Sequence, residues 1–336
     1  MLNKLLLDDH EMSETCDTIF QRFKKISFMT SLELTSSFWQ VPLTKESRKY
    51  TAFMYRGRCY EYVVTPFGLK TSSASLVHAL RPVLSGMEAF VVNFIDDILC
   101  FSNSFEEHLQ HLTVLLQRLQ DYNLTINLEK CQFMARELKF LGHIISTEGI
   151  KQDPEKLAAI RDFPAPKNLK QLRGFLGLIN YYSKFTEKHA ELTLPLLELL
   201  KKEKRWTWND KFQGTLDQIK RTFCREVVLQ YVDVSKEFFL STDASNRAIG
   251  AVLEQRDINN VRKPIVFACR TLKGNDQYDR LDTQVSIFLT QARPMSTRVV
   301  TFLKNIGKWQ AKDPRLAQLL ARDNQKPCSS HNRNPR

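Results

Sequence analysis

The amino-acid sequence predicts a mixed α+β fold, because segments that alternate like β-strands lie next to segments with helical periodicity. The clearest strand signal is the apolar run 90–101, which is too short to span a bilayer and is rich in Val, Ile and Phe. A second is the alternating segment 50–64, with a hairpin turn at Gly57. Helical signals include Ser104-x-x-Glu107, a capping box followed by regularly spaced leucines.

Composition and charge narrow the class of protein. A length of 336 residues allows two or three domains, and a formal charge of +12 points to a polyanionic partner. Nucleic acid is the default partner for an intracellular protein of this kind, although surplus surface lysines are an alternative. The seven scattered cysteines include no Cys-x-x-Cys pair and favour reduced thiols in the cytoplasm or nucleus. With no signal peptide and no apolar run of about 20 residues, we expect neither secretion nor a membrane.

Two adjacent carboxylates, Asp96 and Asp97, lie in the middle of the apolar run. We predict two buried strands that meet in a tight turn at this pair. Like charges in a poorly solvated place repel one another, and a divalent metal most readily offsets them. The dipeptide alone is more typical of a surface turn that satisfies backbone donors, so the metal interpretation depends on other segments.

Phe94-Ile-Asp96-Asp97 resembles the Tyr/Phe-x-Asp-Asp motif of reverse transcriptases. Further segments, over roughly residues 15–280, resemble the polymerase of gypsy-type long-terminal-repeat retrotransposons. The resemblance implies an RNA-directed DNA polymerase that adds deoxynucleotides to the 3′ end of a primer. Its implied partners are an RNA or DNA template–primer duplex and dNTPs, and its implied cofactor is Mg²⁺ as two ions, with Mn²⁺ as a substitute.

The resemblance also implies a domain organisation: a polymerase palm with partial fingers, a helical thumb and a truncated RNase H-like α/β domain. The fingers strands that contact the triphosphate in the family have no counterpart in this sequence. The expected boundaries are 1–25 for a remnant fingers helix, 26–146 for the palm, 147–228 for the thumb, 229–285 for the partial RNase H-like domain, and 286–336 for a divergent, partly disordered tail.

Segment 28–43 resembles the family strand that supplies a third metal-binding carboxylate, with Glu33 where the family has Asp. The resemblance therefore assigns catalysis and metal binding to Glu33, Asp96 and Asp97. Carboxylates suit Mg²⁺, a hard ion that prefers oxygen ligands. The extra methylene of Glu33 adds about 1.5 Å of reach, so we expect metal binding to survive better than turnover.

The family pattern assigns nucleotide binding to Phe38, Phe67, Gly68 and Phe94. Phe38 falls where the family has an aromatic gate that excludes the ribose 2′-hydroxyl, although seen alone it would more often be a core residue. Phe67 would pack against the nucleotide, and Gly68 would let the backbone approach it closely.

The segment Leu141-Gly142-His143 resembles the hairpin that steadies the 3′ end of the primer, and a plain core strand remains open for His143. Segments 173–177 and 180–182 match the thumb helices of the family. On the helix after Ser104, His108 and His111 are predicted to be solvated.

Segment 237–255 resembles the start of an RNase H domain, with Asp243 as its first metal-binding carboxylate. Gln284 stands where the family has a second catalytic Glu, so RNase H cleavage is not expected. These departures motivate an alternative, a degenerate and catalytically impaired copy that at most binds nucleic acid. A third reading is dimerisation with an intact polymerase subunit.

Overall fold

The computed structural model describes residues 2–7, 9, 14–201, 205–245 and 247–271. The expectations for Gln284 and for the tail at 286–336 lie outside these residues. The helices are α1 Cys16–Arg22, α2 Lys45–Arg48, α3 Ser72–Leu84, α4 Phe105–Asp121, α5 Pro154–Arg161, α6 Leu169–Tyr181, α7 His189–Glu198 and α8 Asp210–Phe223. The strands are β1 Phe28–Glu33, β2 Phe53–Tyr55, β3 Arg58–Tyr60, β4 Val91–Phe94, β5 Asp97–Ser102, β6 Gln132–Ala135, β7 Glu137–Phe140, β8 His143–Ser146, β9 Gly149–Gln152, β10 Phe239–Ala244, β11 Ala248–Arg256 and β12 Arg262–Thr271.

In this described part of the chain, the strands form four antiparallel sheets. The central sheet has the order β4-β5-β1-β6, and the others are β7-β8-β9, β10-β11-β12 and the pair β2-β3. The predicted strand pair at 90–101 is confirmed, since β4 and β5 pair with Phe94 opposite Asp97. The hairpin at 50–64 is also confirmed, and the positive φ angles of Arg56 (47°) and Gly57 (72°) give its two-residue turn.

The two faces of the central sheet have different neighbours. On one face, Leu32 and Ile98 belong to a core cluster shared with α3 and α4. On the other, Met29 and Leu99 belong to a larger cluster shared with α1, the β7-β8-β9 sheet and helices α5, α6, α7 and α8. Because side chains alternate along a strand, the second face continues from apolar residues to the acidic ends of β1 and β5.

Helix starts follow the capping residues that the sequence predicts. The Ser104 hydroxyl accepts a hydrogen bond from the Glu107 amide at 3.2 Å, which confirms the capping box of α4. Asp153 and Asn168 accept backbone amides in the same way at the starts of α5 and α6. No helix among the described residues has the length and apolar character needed to cross a membrane.

The prediction of solvated histidines on α4 is wrong. The side chain of His108 is fully buried, with Nε2 2.8 Å from Thr30 Oγ1 and Nδ1 2.9 Å from Ser102 Oγ. The same Ser102 hydroxyl lies 2.7 Å from Nδ1 of His111, whose ring stacks on Phe90 at 3.8 Å. Hydroxyl groups on β1 and β5 satisfy the buried imidazole, and helix periodicity cannot reveal those partners.

These buried histidines predict that the protein loses stability in mild acid. Burial lowers the pKa of His108 to about 4, that of His143 to about 3 and that of His189 to about 4, whereas histidines in the unfolded chain titrate near 6.5. The unfolded chain therefore binds these protons first, so this stability is complete above about pH 6.5 and falls progressively as the pH drops toward about 4.

Urea unfolding at about pH 7.5 and about pH 5 measures this fall in the free energy of unfolding. A His108→Gln variant has no imidazole to titrate at that position and should show a shallower pH dependence. An identical free energy at both pH values would contradict the prediction.

Candidate active site

The three carboxylates predicted to act together lie at the same end of the central sheet. Glu33 is the last residue of β1 and Asp97 the first of β5, and the two are directly opposite each other. The Leu34 amide donates to the Asp96 carbonyl at 3.4 Å, which makes Glu33 and Asp97 a non-hydrogen-bonded pair. In such pairs the facing side chains lie closest together. Asp96 occupies the turn between β4 and β5, beside this pair.

The turn that carries Asp96 is strained. Ile95 has a φ of 55°, a region that β-branched residues rarely adopt. Such backbone strain costs on the order of 1–3 kcal/mol and is typical of functional sites. The Ser37 hydroxyl lies 3.5 Å from Oδ2 of Asp96, so a second segment helps to place this carboxylate.

The carboxylates are close enough to influence one another electrostatically. Burial, followed by the negative charges of Asp96 and Glu33, raises the pKa of Asp97 to about 6, while Lys130 opposes the shift. Lys130 Nζ lies 2.5 Å from Glu33 Oε1, and this hydrogen bond raises the pKa of Lys130. The ammonium thus offsets part of the negative charge and engages the carboxylate of Glu33.

Sequence reasoning missed Lys130 as part of this site. The 3-10 turn Leu128–Lys130 is brought to the site because the Asn127 amide donates to the Glu33 carbonyl at 2.8 Å. No local pattern could have revealed a partner 97 positions away along the chain.

The donor chemistry of the site fits a hard divalent cation, although the ligands are not arranged as a formed metal site. Within the described ranges, no group of three or more His, Cys, Asp or Glu side chains is arranged to hold a metal ion. All the candidate donors are oxygen atoms, and the repulsion that raises the pKa of Asp97 is what a cation would relieve. Glu33 would have to give up its ion pair with Lys130 before its carboxylate could bind an ion together with Asp96 and Asp97.

Two of the residues predicted to bind the nucleotide, Phe38 and Phe67, form one aromatic surface beside the acids. The rings of Phe38 and Phe67 meet edge to face at 5.7 Å, and Trp39 packs on Phe67 at 5.4 Å. Phe67 is 62% exposed, so this aromatic surface is open to a ligand. Phe38 follows Ser37, whose hydroxyl approaches Asp96, and this connects the aromatic surface to the carboxylates.

The loop after Phe67 is held by a contact that sequence reasoning missed. Asn3 Nδ2 donates to the Gly68 carbonyl at 2.8 Å, and the Lys70 amide donates to Asn3 Oδ1 at 3.0 Å. Gly68 has a φ of 90° and no atom within 4 Å of where a Cβ would be, which leaves room for close approach to its backbone. Phe94, in contrast, packs against the large core cluster, below the end of the central sheet that carries the three carboxylates.

The predicted primer-contacting residues form the turn between β7 and β8. Leu141 and Gly142 are the turn residues, with φ angles of 48° and 65°. His143 is 0% exposed, and its Nδ1 donates to the Leu141 carbonyl at 2.7 Å. This burial fits the alternative of a plain core strand for His143, and contact between its side chain and a primer stays a prediction.

The RNase H-like part contains β10, β11 and β12, and Asp243 lies in β10 opposite Gly250. The Asp243 carboxylate pairs with Lys188 at 3.0 Å. Gln284, which stands where the family has a second catalytic Glu, lies outside the described residues.

An antiparallel sheet backed by two helices, with neighbouring aspartates in a strained turn at its open end, defines the palm of a nucleic-acid polymerase. Residues 2–145 match the family model for reverse transcriptase (RNA-dependent DNA polymerase), and residues 208–294 match the model for the RNase H-like domain found in reverse transcriptase. The chain belongs to the reverse transcriptase family, of the type found in retrotransposon polyproteins.

Its relatives include polyproteins of transposable elements. The chain is 36% identical over 280 residues to the retrovirus-related Pol polyprotein from transposon 297 of Drosophila melanogaster, covering 82% of this chain and 26% of the relative. It is 33% identical over 286 residues to the transposon Tf2-3 polyprotein of Schizosaccharomyces pombe, covering 84% of this chain and 22% of the relative. The chain thus spans about a quarter of the length of these relatives.

Solved structures show the same fold. A foamy viral protease–reverse transcriptase in complex with double-stranded DNA superposes with a TM-score of 0.78 at 21% identity, covering 86% of this chain and 51% of that one. The same viral protein with an RNA/DNA hybrid gives a TM-score of 0.73 over 85% of this chain and 39% of that one, also at 21% identity. These likenesses confirm the predicted mixed α+β fold, and the second family model confirms the RNase H-like part.

Proposed function

We propose that this chain is the RNA-directed DNA polymerase part of a retrotransposon polyprotein. It adds deoxynucleotides to the 3′-hydroxyl of a primer on an RNA or DNA template and releases pyrophosphate. The observation that carries this proposal is the convergence of Glu33, Asp96 and Asp97, where two of the carboxylates raise the pKa of the third. Three like charges held together at one end of a sheet favour the binding of a divalent cation, which can assist phosphoryl transfer.

The three carboxylates of the chain would act by holding divalent cations in place. Asp96, Asp97 and Glu33 would bind two Mg²⁺ ions, or Mn²⁺. When bound, such ions stabilise the attacking and leaving oxygens of an in-line phosphoryl transfer. Strand pairing fixes Glu33 opposite Asp97, and the turn at Ile95 fixes Asp96 beside them. Above about pH 6 the Asp97 carboxyl is ionised and able to act as a ligand.

Other predicted residues would place the substrates. The aromatic surface of the partly buried Phe38 and the exposed Phe67, with the open backbone at Gly68, would receive the dNTP, and the Leu141–Gly142 turn would support the primer. The formal charge of +12 suits a nucleic-acid duplex, and the foamy viral relatives in fold are solved with double-stranded DNA and with an RNA/DNA hybrid.

The same proposal divides the chain into functional parts. These are a remnant of the fingers at 1–25, the palm at 26–146, the thumb at 147–228 and a partial RNase H-like domain at 229–285. The reverse transcriptase family model ends at residue 145, next to the proposed end of the palm.

Primer extension tests the proposed reaction. The purified chain is incubated with a labelled primer on an RNA or a DNA template, with dNTPs and Mg²⁺ or Mn²⁺, and compared with the double variant Asp96→Asn, Asp97→Asn. We expect products longer than the primer with the natural chain and none with the double variant. No product above the double variant on either template would exclude polymerisation by this chain.

A second candidate function, binding of nucleic acid without catalysis, is favoured by two ion pairs. Lys130 engages Glu33, and Lys188 engages Asp243, so a cation of the protein already neutralises one carboxylate in each candidate metal site. A duplex that binds but is not extended in the assay above would support this candidate. Pairing with an intact polymerase subunit is a third reading, and a monomeric mass by light scattering at working concentration would exclude it.

Duplex binding itself is predicted to depend steeply on salt, because phosphate contacts release counterions. Raising the salt from about 50 mM to about 200 mM should weaken the affinity at least about tenfold, measured by fluorescence anisotropy with a labelled duplex. The matched control is the double variant Asp96→Asn, Asp97→Asn, which should keep the same salt dependence. A salt-independent affinity would contradict an electrostatic duplex interface.

A further inference from the structure

Two tyrosines at the C-terminal end of α6 reach back to the turn between β7 and β8. The Tyr181 hydroxyl donates to the Leu141 carbonyl at 2.7 Å, and the Tyr182 hydroxyl donates to the Gly142 carbonyl at 2.6 Å. His143 Nδ1 donates to the Leu141 carbonyl as well, at 2.7 Å. Both carbonyls of the turn are therefore held by the thumb, 40 positions further along the chain.

The backbone of this turn needs such support. Leu141 has a φ of 48°, in the left-handed region that residues with a Cβ disfavour, and Gly142 follows at 65°. A Cβ built on Gly142 would lie 3.7 Å from side-chain atoms of Tyr181 and Tyr182, so the tyrosines pack directly over the turn. Loss of the hydrogen bonds would let the turn relax toward other conformations.

The buried imidazole of His143 joins the turn to the thumb. Its ring lies 4.8 Å from that of Phe20, 5.2 Å from Tyr181, 5.4 Å from Tyr182 and 5.7 Å from Phe185. Phe20 belongs to α1, and the other three rings belong to the thumb. The turn, α1 and the end of α6 therefore pack as one unit around a single ring.

A second contact ties α1 to the same end of the thumb. Lys184 Nζ pairs with Asp17 at 2.7 Å and lies 4.5 Å from the ring centre of Phe20. A displacement of the thumb would thus be passed to the turn through hydrogen bonds and packed rings, without contact between the tyrosines and substrate.

We propose that Tyr181 and Tyr182 are positioning residues that fix the Leu141–Gly142 turn relative to the thumb, and thereby place the 3′ end of the primer. This inference rests on the proposed polymerase function, under which the turn lies against the primer terminus. The thumb then has two effects: it binds the duplex, and it determines the position of the 3′-hydroxyl relative to the carboxylates.

The variants Tyr181→Phe and Tyr182→Phe, singly and together, test this positioning role, since they keep the rings and remove the hydroxyl groups. The matched control is Tyr231→Phe, because the Tyr231 hydroxyl donates to the Ser146 carbonyl at 2.6 Å, in the next turn of the same sheet. We expect the double variant to lose roughly tenfold in kcat for single-nucleotide addition, because misplaced reacting atoms slow the chemical step. The Kd for the duplex should change less than about twofold, because phosphate contacts dominate it.

Two outcomes of the kinetic test would overturn the proposal. One is an unchanged kcat in the double tyrosine variant. The other is an equal loss of kcat in Tyr231→Phe, which would trace the effect to stability of the sheet and not to the turn. A loss confined to duplex affinity would also count against positioning.

Two measurements that do not need turnover keep this inference separate from the proposed reaction. Hydrogen exchange of the amides at 141–144 in the free protein should be faster in the double tyrosine variant and unchanged in Tyr231→Phe. The fluorescence of 2-aminopurine at the primer terminus in the bound duplex should change in the same selective way. If the natural chain extends no primer, the proposed polymerase function fails, and these two readouts still decide the positioning role. Unchanged exchange and fluorescence would overturn it.

Discussion

An Asp97→Asn variant is expected to lose primer extension by at least about a hundredfold and to melt at a higher temperature than the natural chain. The loss follows because the amide keeps the shape of the carboxylate but removes a charged oxygen ligand from the proposed metal site. The gain in stability follows because Asp97 is half-buried beside Asp96 and directly opposite Glu33, and their repulsion disappears with its charge.

The size of the stability gain can be estimated from cross-strand pairs. Like charges opposite each other in a sheet destabilise it by up to about 1 kcal/mol, which corresponds to a shift of about 2–4 °C in the Tm of domains of 150–250 residues. Differential scanning fluorimetry without divalent metal measures this shift. Single-nucleotide extension under saturating substrates measures the loss of activity.

Asp121→Asn is the matched control for this experiment. Asp121 ends α4, where its exposed carboxylate accepts a hydrogen bond from Gln117 at 2.9 Å, away from the acidic end of the sheet. Its replacement should leave extension unchanged. Extension at the natural rate in Asp97→Asn would refute the assignment of the active site, and a lower Tm would show that the Asp97 carboxylate stabilises the fold.

A Glu33→Asp variant is expected to extend primers about tenfold faster than the natural chain, or more. The shorter side chain withdraws the carboxylate by about 1.5 Å and so breaks its contact with Lys130 Nζ. An Asp at this position stays opposite Asp97 and is free to complete the ligand set, whereas misplacement by about 1 Å can cost a hundredfold in rate.

Lys130→Met separates the effect of side-chain length from that of the ion pair. If the pair alone holds Glu33 away from the metal, this variant should lower the Mg²⁺ concentration needed for half-maximal extension without restoring the full rate. Glu33→Gln, which keeps the length and removes the charge, should extend no faster than the natural chain. No gain in Glu33→Asp would place the limitation elsewhere, in the contacts to the triphosphate that the fingers of the family provide.

Elements that depend on local signals can be predicted from the amino-acid sequence. The strands around Asp96 and Asp97 follow from a run of Val, Ile and Phe, and the start of α4 follows from a hydroxyl at Ser104 that caps a nearby amide. These features are encoded within a few residues, so alternation and capping chemistry are enough to predict them. The family motifs predict that Glu33 lies close to Asp96 and Asp97, and the strand register places Glu33 opposite Asp97.

The contacts between groups that are far apart in the sequence depend on the folded structure. It buried His108 against the Thr30 hydroxyl, paired Glu33 with Lys130, and enclosed His143 under Tyr181 and Tyr182. Each of these contacts joins segments tens of residues apart, and a polar residue at a given spacing looks the same whether its partner is water or another side chain. Folding selects the partner, because a buried polar group is stable only where the packing of distant elements supplies its hydrogen bond.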